Sequence, residues 1–251
     1  MNITNFRDIG GITTRLGQIK ERRLLRSGEL YQLSDADTNT LKNDYDLKLI
    51  IDLRSQDEIA QHPDSLVPEA RYLNLDVMAD LSKGNTGFSS LMGQLNLANV
   101  DKHMKQVYRD VILNDISLRQ YGQFMQEIAN LPSGSVLFHC YAGKDRTGLG
   151  AALLLDTLGA SKDDIYADYM LTNQMREPAN NVICDATAQQ YHLSAEQTEA
   201  LRQFLLVKED YIDESYRIIN EKYGSSEKYL LEGLKVPYET LEKIRANYID
   251  S

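Results

Sequence analysis

The stretch "SVLFHCYAGKDRTGLGAALLLDTLG", Ser135 to Gly159, constrains the fold more than any other part of the chain. "SVLFHC" is apolar and of strand length, so it reads as a buried strand. "TGLGAALLLDTLG" is apolar enough for a largely buried helix that stops near Gly159. Between them lies a short turn holding Gly143 and the charged residues Lys144, Asp145 and Arg146. A strand, a tight turn and a buried helix in direct succession form the unit of a sheet covered by helices.

Other segments repeat that alternation. "LKLIIDLRS" (Leu47 to Ser55) and "ARYLNLDV" (Ala70 to Val77) read as two further strands. Ser34 stands as an N-cap ahead of acids in "SDADTNTLKNDY". Ser161 with Asp164, and Ser194 with Gln197, have capping-box spacing and open the helices "KDDIYADYMLTNQM" and "AEQTEALRQFLLV". "DYIDESYRIINEKYG" and "YETLEKIRANYI" complete a helical C-terminal third. The expected class is α/β, with a mostly parallel central sheet and helices on both faces. With no internal repeat and no low-complexity linker, residues 1–251 are expected to form a single domain. "MADLSKGNTGFSSLMGQLNLANVDKH" departs from the pattern, and residues 78–118 are expected to supply a lid beside the site or a plain surface loop.

Composition removes several function classes. A hydrophobic share of 42% and a charged share of 25% fit a globular core. The formal net charge of −10 argues against nucleic-acid binding and requires any anion site to be local. "LGAALLLDTLGA" is too short for a membrane span and is broken by Asp156. "MNITNFRDIGG" lacks the basic and apolar regions of a signal peptide, so a cytoplasmic location is the expectation. Cys140 and Cys184 do not make a disulfide framework, and the four histidines do not complete a zinc set. No metal and no cofactor is expected, and nothing in the chain fixes its oligomeric state.

The turn itself points to anion chemistry. The N-terminus of a helix presents unpaired N–H groups and the positive end of a dipole. Cys140 faces that field, which favours thiolate over thiol. Gly143 lets the backbone turn so that successive amides face inward as a nest. Arg146, six residues after Cys140, offers a planar fork for two phosphate oxygens. The Thr147 hydroxyl is placed to hydrogen-bond the sulfur. Tyr141, Ala142, Gly143, Lys144, Asp145, Arg146 and Thr147 together read as a phosphate cradle carrying its own nucleophile.

"HCYAGKDRTG" resembles the signature loop of cysteine-dependent tyrosine and dual-specificity phosphatases. "NFRDIGG", "LLRSGEL", "IIDLRSQDE" and "DYMLTN" extend the resemblance to the bacterial tyrosine/serine protein phosphatases, some of which act on phosphotyrosine and phosphoinositides. The resemblance implies a two-step, metal-free mechanism. Cys140 attacks phosphorus, Arg146 and the amides of residues 141–146 hold the oxygens, and water releases inorganic phosphate from the phosphocysteine. It also implies a phosphorylated protein or phosphoinositide as substrate. A general acid must protonate the leaving group, and Asp76, Asp80 and Asp145 are the candidates in that order. Lys144 is expected to favour substrates with extra phosphates or else to answer Asp145 in solvent. Arg7 with Asp8, and Asp52 with Arg54, are expected as paired charges that brace the loop. His139 is expected to tune the thiolate or simply to be buried, and Cys184 to be a small apolar residue. The competing functions are a primarily phosphoinositide phosphatase, a sulfur- or arsenate-handling cysteine enzyme, and a silent phosphate-binding module.

Overall fold

The computed structural model describes residues 1–79, 81 and 96–250. Its strands are β1 (Arg7–Asp8), β2 (Thr13–Thr14), β3 (Gly17–Ile19), β4 (Leu24–Ser27), β5 (Leu47–Asp52), β6 (Arg71–Asn74), β7 (Ser135–His139) and β8 (Ile249–Asp250). Its helices are α1 (Asp35–Asn43), α2 (Gln56–Gln61), α3 (Leu97–Leu113), α4 (Asp115–Ala129), α5 (Asp145–Thr157), α6 (Lys162–Tyr191), α7 (Ala195–Leu205), α8 (Glu209–Tyr223) and α9 (Tyr238–Tyr248). Between α8 and α9 a short turn at Ser226–Lys228 runs into a π-helix, Tyr229–Gly233.

The main sheet has the order β1-β4-β7-β5-β6. β4, β7, β5 and β6 run parallel, and β1 lies antiparallel on the edge of β4. This is the mostly parallel sheet expected from the sequence. Its middle strand is β7, which delivers Cys140. A second, antiparallel sheet of β2, β3 and β8 ties the N-terminal region to the C-terminal end.

Side chains alternate across a strand, and the two faces carry two separate cores. Leu24, Ile51, Val136 and Phe138 enter a large cluster with residues of α3, α4, α5, α8 and α9. Leu25, Ile50 and Leu137 enter a small one with Leu41 of α1. Leu47 and Leu49 are two apart yet lie in different clusters. A register irregularity between them explains the change of face.

Three expectations are revised. Of the proposed lid segment 78–118, α3 occupies Leu97–Leu113, and its Val100, Met104, Tyr108, Val111 and Ile112 are core residues. Residues 80 and 82–95 lie outside the described residues, and Asp80 with them. α6 does not end at Met175 but continues to Tyr191 through Pro178. Buried Thr172, Arg176, Asn180, Cys184 and Thr187 fix one face of it on both sides of that proline, so tertiary packing outweighs the lost backbone bond. Finally, Ser161 caps α6 by accepting from the Asp164 N–H, but the Asp164 carboxylate takes the Ser161 hydroxyl rather than its amide. The Ser194–Gln197 box forms in both directions.

Candidate active site

The C-terminal ends of parallel strands are where loops of this fold class gather. Here Ser27, His139, Asp52 and Asn74 are register partners along one edge of the sheet. Cys140 follows His139 at the centre of that edge. Backbone bonds sew the neighbouring loops to it: Leu53 N–H donates to the His139 carbonyl at 2.8 Å and Glu29 N–H to the Tyr141 carbonyl at 3.1 Å.

The turn is held by its carbonyls. Asn5 Nδ2 and Arg26 Nη2 donate to the Gly143 carbonyl at 2.8 and 2.9 Å, and Arg176 Nη1 donates to the Ala142 carbonyl at 2.9 Å. With these carbonyls drawn outward, the amides of the turn are free to face the other way. Gly143 has φ +64°, and a Cβ there would sit 2.2 Å from the Ser27 carbonyl oxygen. No other residue fits that conformation and that gap. α5 starts at Lys144 without a side-chain cap, so its first-turn N–H groups stay available to an anion.

Cys140 is 2% exposed. Burial alone would push its thiol up. The Arg146 charge, with the hydroxyl and N–H of Thr147, outweighs burial and brings it below the ordinary value. The Thr147 hydroxyl has no other hydrogen-bond partner among the described residues, as expected if it serves the sulfur. Arg146 gives Nη1 and Nη2 to the two oxygens of Glu58, each at 2.7 Å. Glu58 also completes the capping box of α2 with Ser55. Burial raises the Glu58 carboxyl, but Arg146 and Ser55 bring it down to about 2. Two of the five N–H donors of Arg146 are thus used to fix the guanidinium plane, and three remain.

Behind the loop, Arg54 is fully buried. It bonds Asp52 through Nε and Nη2, Asp64 through Nη2 at 2.7 Å, and Glu29 through Nη1 at 3.1 Å. The Asp52–Arg54 brace is therefore present, with Asp64 and Glu29 added. His139 Nε2 lies 2.8 Å from Asp64 Oδ2, in a contact of charge rather than an aligned hydrogen bond. Burial lowers the imidazole, but Asp64 and Asp52 raise it further, and its net shift is upward. Asp52, Asp64 and His139 also have the spacing of a metal set, but Arg54 already supplies the cation that both carboxylates bind.

Arg7 and Asp8 are not paired with each other, because adjacent residues on a strand point to opposite faces. Arg7 and Arg26 instead share Asp168 of α6, and Asp8 accepts from the N–H groups of Gly10 and Arg22. Lys144 answers Asp145, its Nζ lying 3.5 Å from Asp145 Oδ2, but it does so buried rather than in solvent. It is 4% exposed, and its Nζ donates to the Phe204 and Leu206 carbonyls at 2.6 and 3.3 Å. It fastens the end of α7 to the loop and is not a solvated lysine. Asp145 accepts from the Tyr108 hydroxyl at 2.7 Å, and Tyr121 donates to the Arg146 carbonyl at 2.8 Å, so buried tyrosines of α3 and α4 hold the first turn of α5. Tyr141 is 42% exposed and stacks on His62 at the rim. Cys184 is buried, with its Sγ against the Thr198 carbonyl of α7 at 3.8 Å.

Asp76 lies in the turn after β6 and accepts from the Met78 N–H at 3.0 Å. It is half-buried within the fields of Arg146 and Glu58, and burial is the main cause that raises its carboxyl. The structure thus brings Cys140, Arg146, Thr147 and Asp76 to one edge. Sequence reasoning missed Glu58, Asp64, Asn5, Arg26 and Arg176. The signals were the Ser55–Glu58 capping spacing and the polar residues inside "NFRDIGG" and "LLRSGEL".

The chain is also similar in sequence to known proteins. A sequence profile described as the tyrosine phosphatase family matches residues 1–250. A Cupriavidus necator protein, named provisionally as a tyrosine-protein phosphatase, is 32% identical over 98% of this chain and 86% of its own. The Mycobacterium tuberculosis protein PtpB, named a triple specificity protein phosphatase, is 29% identical over 90% of each chain. A solved structure of PTPMT1 in complex with PI(5)P covers 80% of this chain and 94% of its own at 15% identity, with a TM-score of 0.32. With its signature loop, its sheet and a profile spanning nearly every residue, the chain belongs to the tyrosine phosphatase family.

Proposed function

We propose that the protein hydrolyses phosphate monoesters, phosphotyrosine first among them, with Cys140 as nucleophile, Arg146 as oxyanion clamp and Asp76 as general acid. The Cys140 sulfur attacks phosphorus in line while the ester oxygen leaves with the Asp76 proton. The amides of residues 141–146 and the free donors of Arg146 meet the equatorial oxygens. Water then attacks the phosphocysteine, gives its proton to Asp76 and releases inorganic phosphate. The observation that carries the reading is the pairing of a lowered thiol with a raised carboxyl on one sheet edge. Both shifts favour the protonation states that the first step needs, thiolate with neutral acid. Asp145 is held by Tyr108 and Asp76 is not held by any side chain among the described residues, which supports Asp76 as the acid.

The name of the M. tuberculosis relative supports testing substrates beyond phosphotyrosine. A phosphate-release panel of phosphotyrosine, phosphoserine and phosphothreonine peptides and phosphoinositides tests the reading. Cys140→Ser should bind without turnover. Asp76→Asn should lose about 10²–10⁴-fold in kcat and the basic limb of a bell-shaped pH profile. Full activity of Cys140→Ser would refute the mechanism, and an unchanged pH profile in Asp76→Asn would reassign the acid. No helix among the described residues is long and apolar enough to cross a membrane. Both cysteines are free, which supports a reducing compartment such as the cytoplasm.

A further inference from the structure

Two side chains of α4, one helical turn apart, reach the two sides of the reaction site. Tyr121 donates its hydroxyl to the Arg146 carbonyl at 2.8 Å. Ser117 donates its hydroxyl to the Val77 carbonyl at 2.6 Å. Ser117 is fully buried, and Asn114 at the N-cap holds it by accepting from its N–H at 3.1 Å. The Ser117 hydroxyl also lies 3.5 Å from Asn114 Oδ1, but its one proton serves the nearer carbonyl. Val77 directly follows Asp76, and the Asp76 carboxylate accepts from the Met78 N–H at 3.0 Å. The Val77 carbonyl and the Met78 N–H are the two ends of one peptide group. A single peptide therefore stands between the Ser117 hydroxyl and the Asp76 carboxylate. The residues on either side of Asp76 are fixed as well. Leu75 and Val77 are core residues, and the Leu75 N–H donates to the Asp52 carbonyl at 2.8 Å.

We propose that Ser117 is a positioning residue that aims Asp76 at the leaving oxygen through the peptide between Val77 and Met78. The inference rests on the reading of Asp76 as general acid and goes beyond it by naming what aims that acid. A peptide group is planar, so the carbonyl that Ser117 holds and the N–H that Asp76 accepts from turn together. If that plane swings, the carboxylate swings with it. Proton transfer needs the acid within hydrogen-bond reach of the oxygen, and a misplacement of one ångström can cost about 10²-fold. Residues four apart on a helix share a face and lie about 6 Å apart along its axis. α4 is thus a common base for the turn that carries the acid and the loop that carries the Arg146 clamp. A bond that only held the fold would weaken every reaction of the site alike. A bond that aims Asp76 weakens the reactions that need its proton.

The test compares wild type, Ser117→Ala, Asp76→Asn and the double variant on two aryl monophosphates. The phenol of phosphotyrosine, with an ordinary pKa of about 10, needs a proton as it leaves. Dinitrophenol departs from its phosphate as the anion and needs none. The quantity read is kcat/KM for phosphotyrosine divided by kcat/KM for dinitrophenyl phosphate, since kcat/KM compares the transition state with free enzyme and substrate. In Asp76→Asn the ratio should fall by about 10²–10⁴. In Ser117→Ala it should fall in the same direction, by at least about tenfold. Adding Ser117→Ala to Asp76→Asn should lower it no further, because a residue that acts through Asp76 has nothing left to aim. An unchanged ratio in Ser117→Ala, from an equal fall on both substrates or from none, would overturn the proposal. So would additive falls in the double variant. If Ser117→Ala does not fold, Ser117→Cys fills the same space with a weak donor. A smaller fall in the ratio then supports the proposal, and no fall overturns it. If Asp76→Asn itself leaves the ratio unchanged, the general-acid reading fails and the proposal falls with it. A fall in Asp76→Asn with none in Ser117→Ala removes the positioning role alone.

Discussion

Two guanidinium–carboxylate clusters flank the Cys140 loop, alike in chemistry and unlike in burial. In front, Arg146 and Glu58 face each other with side chains 14% and 29% exposed. Behind, Arg54 and Asp52 are fully buried, and Asp64 is nearly so. An ion pair with access to water can exchange partners as a substrate arrives. A pair without access cannot, and removing one member strands the other in a low-dielectric interior. Under the proposed mechanism the same residue types therefore serve turnover at the front and shape at the back.

Removing each arginine should split activity from stability. Arg146→Met should lower kcat on an aryl phosphate by about 10²–10³, because an oxyanion donor is gone. Its melting temperature should move by less than about 4 °C, the effect of losing one pair that water still reaches. Arg54→Met leaves Asp52, Asp64 and Glu29 without their guanidinium, at a cost of about 3–5 kcal/mol. Its melting temperature should fall by roughly 10 °C. If instead the front variant unfolds and the back one is only inactive, the contrast is wrong.

Titration sharpens the same contrast. Glu58 sits at about 2 in the folded chain against an ordinary value of 4.5. Its contribution to stability is complete above about 4.5 and is lost as pH falls toward 2. Asp52 and Asp168 are also depressed and act in the same direction. His139, raised from 6.5 by Asp64 and Asp52 against the effect of burial, works in reverse. Its contribution is complete below 6.5 and is lost as pH rises through its folded value. Thermal denaturation from pH 3 to 9 should therefore show a plateau between about 4.5 and 6.5. His139→Gln should flatten the alkaline decline and leave the acid one. An alkaline decline that persists in that variant would remove His139 from the back cluster's charge balance.

How much of this was legible in the sequence follows from how local each cause is. The backbone of the β7–turn–α5 unit was legible, because the strand run, Cys140, Gly143 and Arg146 lie close together in the chain. So were the caps at Ser34 and Ser194, whose partners lie three residues away. β4 was missed as a strand because "LLRS" is four residues of a sheet interior with no turn of its own to announce it. α6 was ended too early because Pro178 is a local signal, whereas the burial of Arg176, Asn180 and Cys184 is set by the far side of the fold. Lys144 shows the limit most clearly. Its pairing with the adjacent Asp145 was legible and its burial was not, since the carbonyls it meets are sixty residues downstream. Arg7 paired with Asp168 rather than with its neighbour for the same reason.

The smallest expected effect distinguishes positioning from neutralisation at the front pair. Glu58→Gln keeps an acceptor for Arg146 and a partner for the Ser55 amide but removes the charge. The melting temperature should fall by no more than about 4 °C, the range for a weakened helix cap of about 1 kcal/mol. Two consequences for catalysis oppose each other. An Arg146 no longer balanced by a carboxylate attracts an anion more strongly, so inorganic phosphate should inhibit at a severalfold lower concentration. A guanidinium held by one neutral bond in place of two charged ones is less well aimed, so kcat should fall, by less than about tenfold. KM and kcat falling together is the signature of better ground-state binding with poorer transition-state geometry. If KM rises while kcat holds, Glu58 does not orient Arg146, and the front pair is then no more than a surface ion pair that happens to lie beside the sulfur.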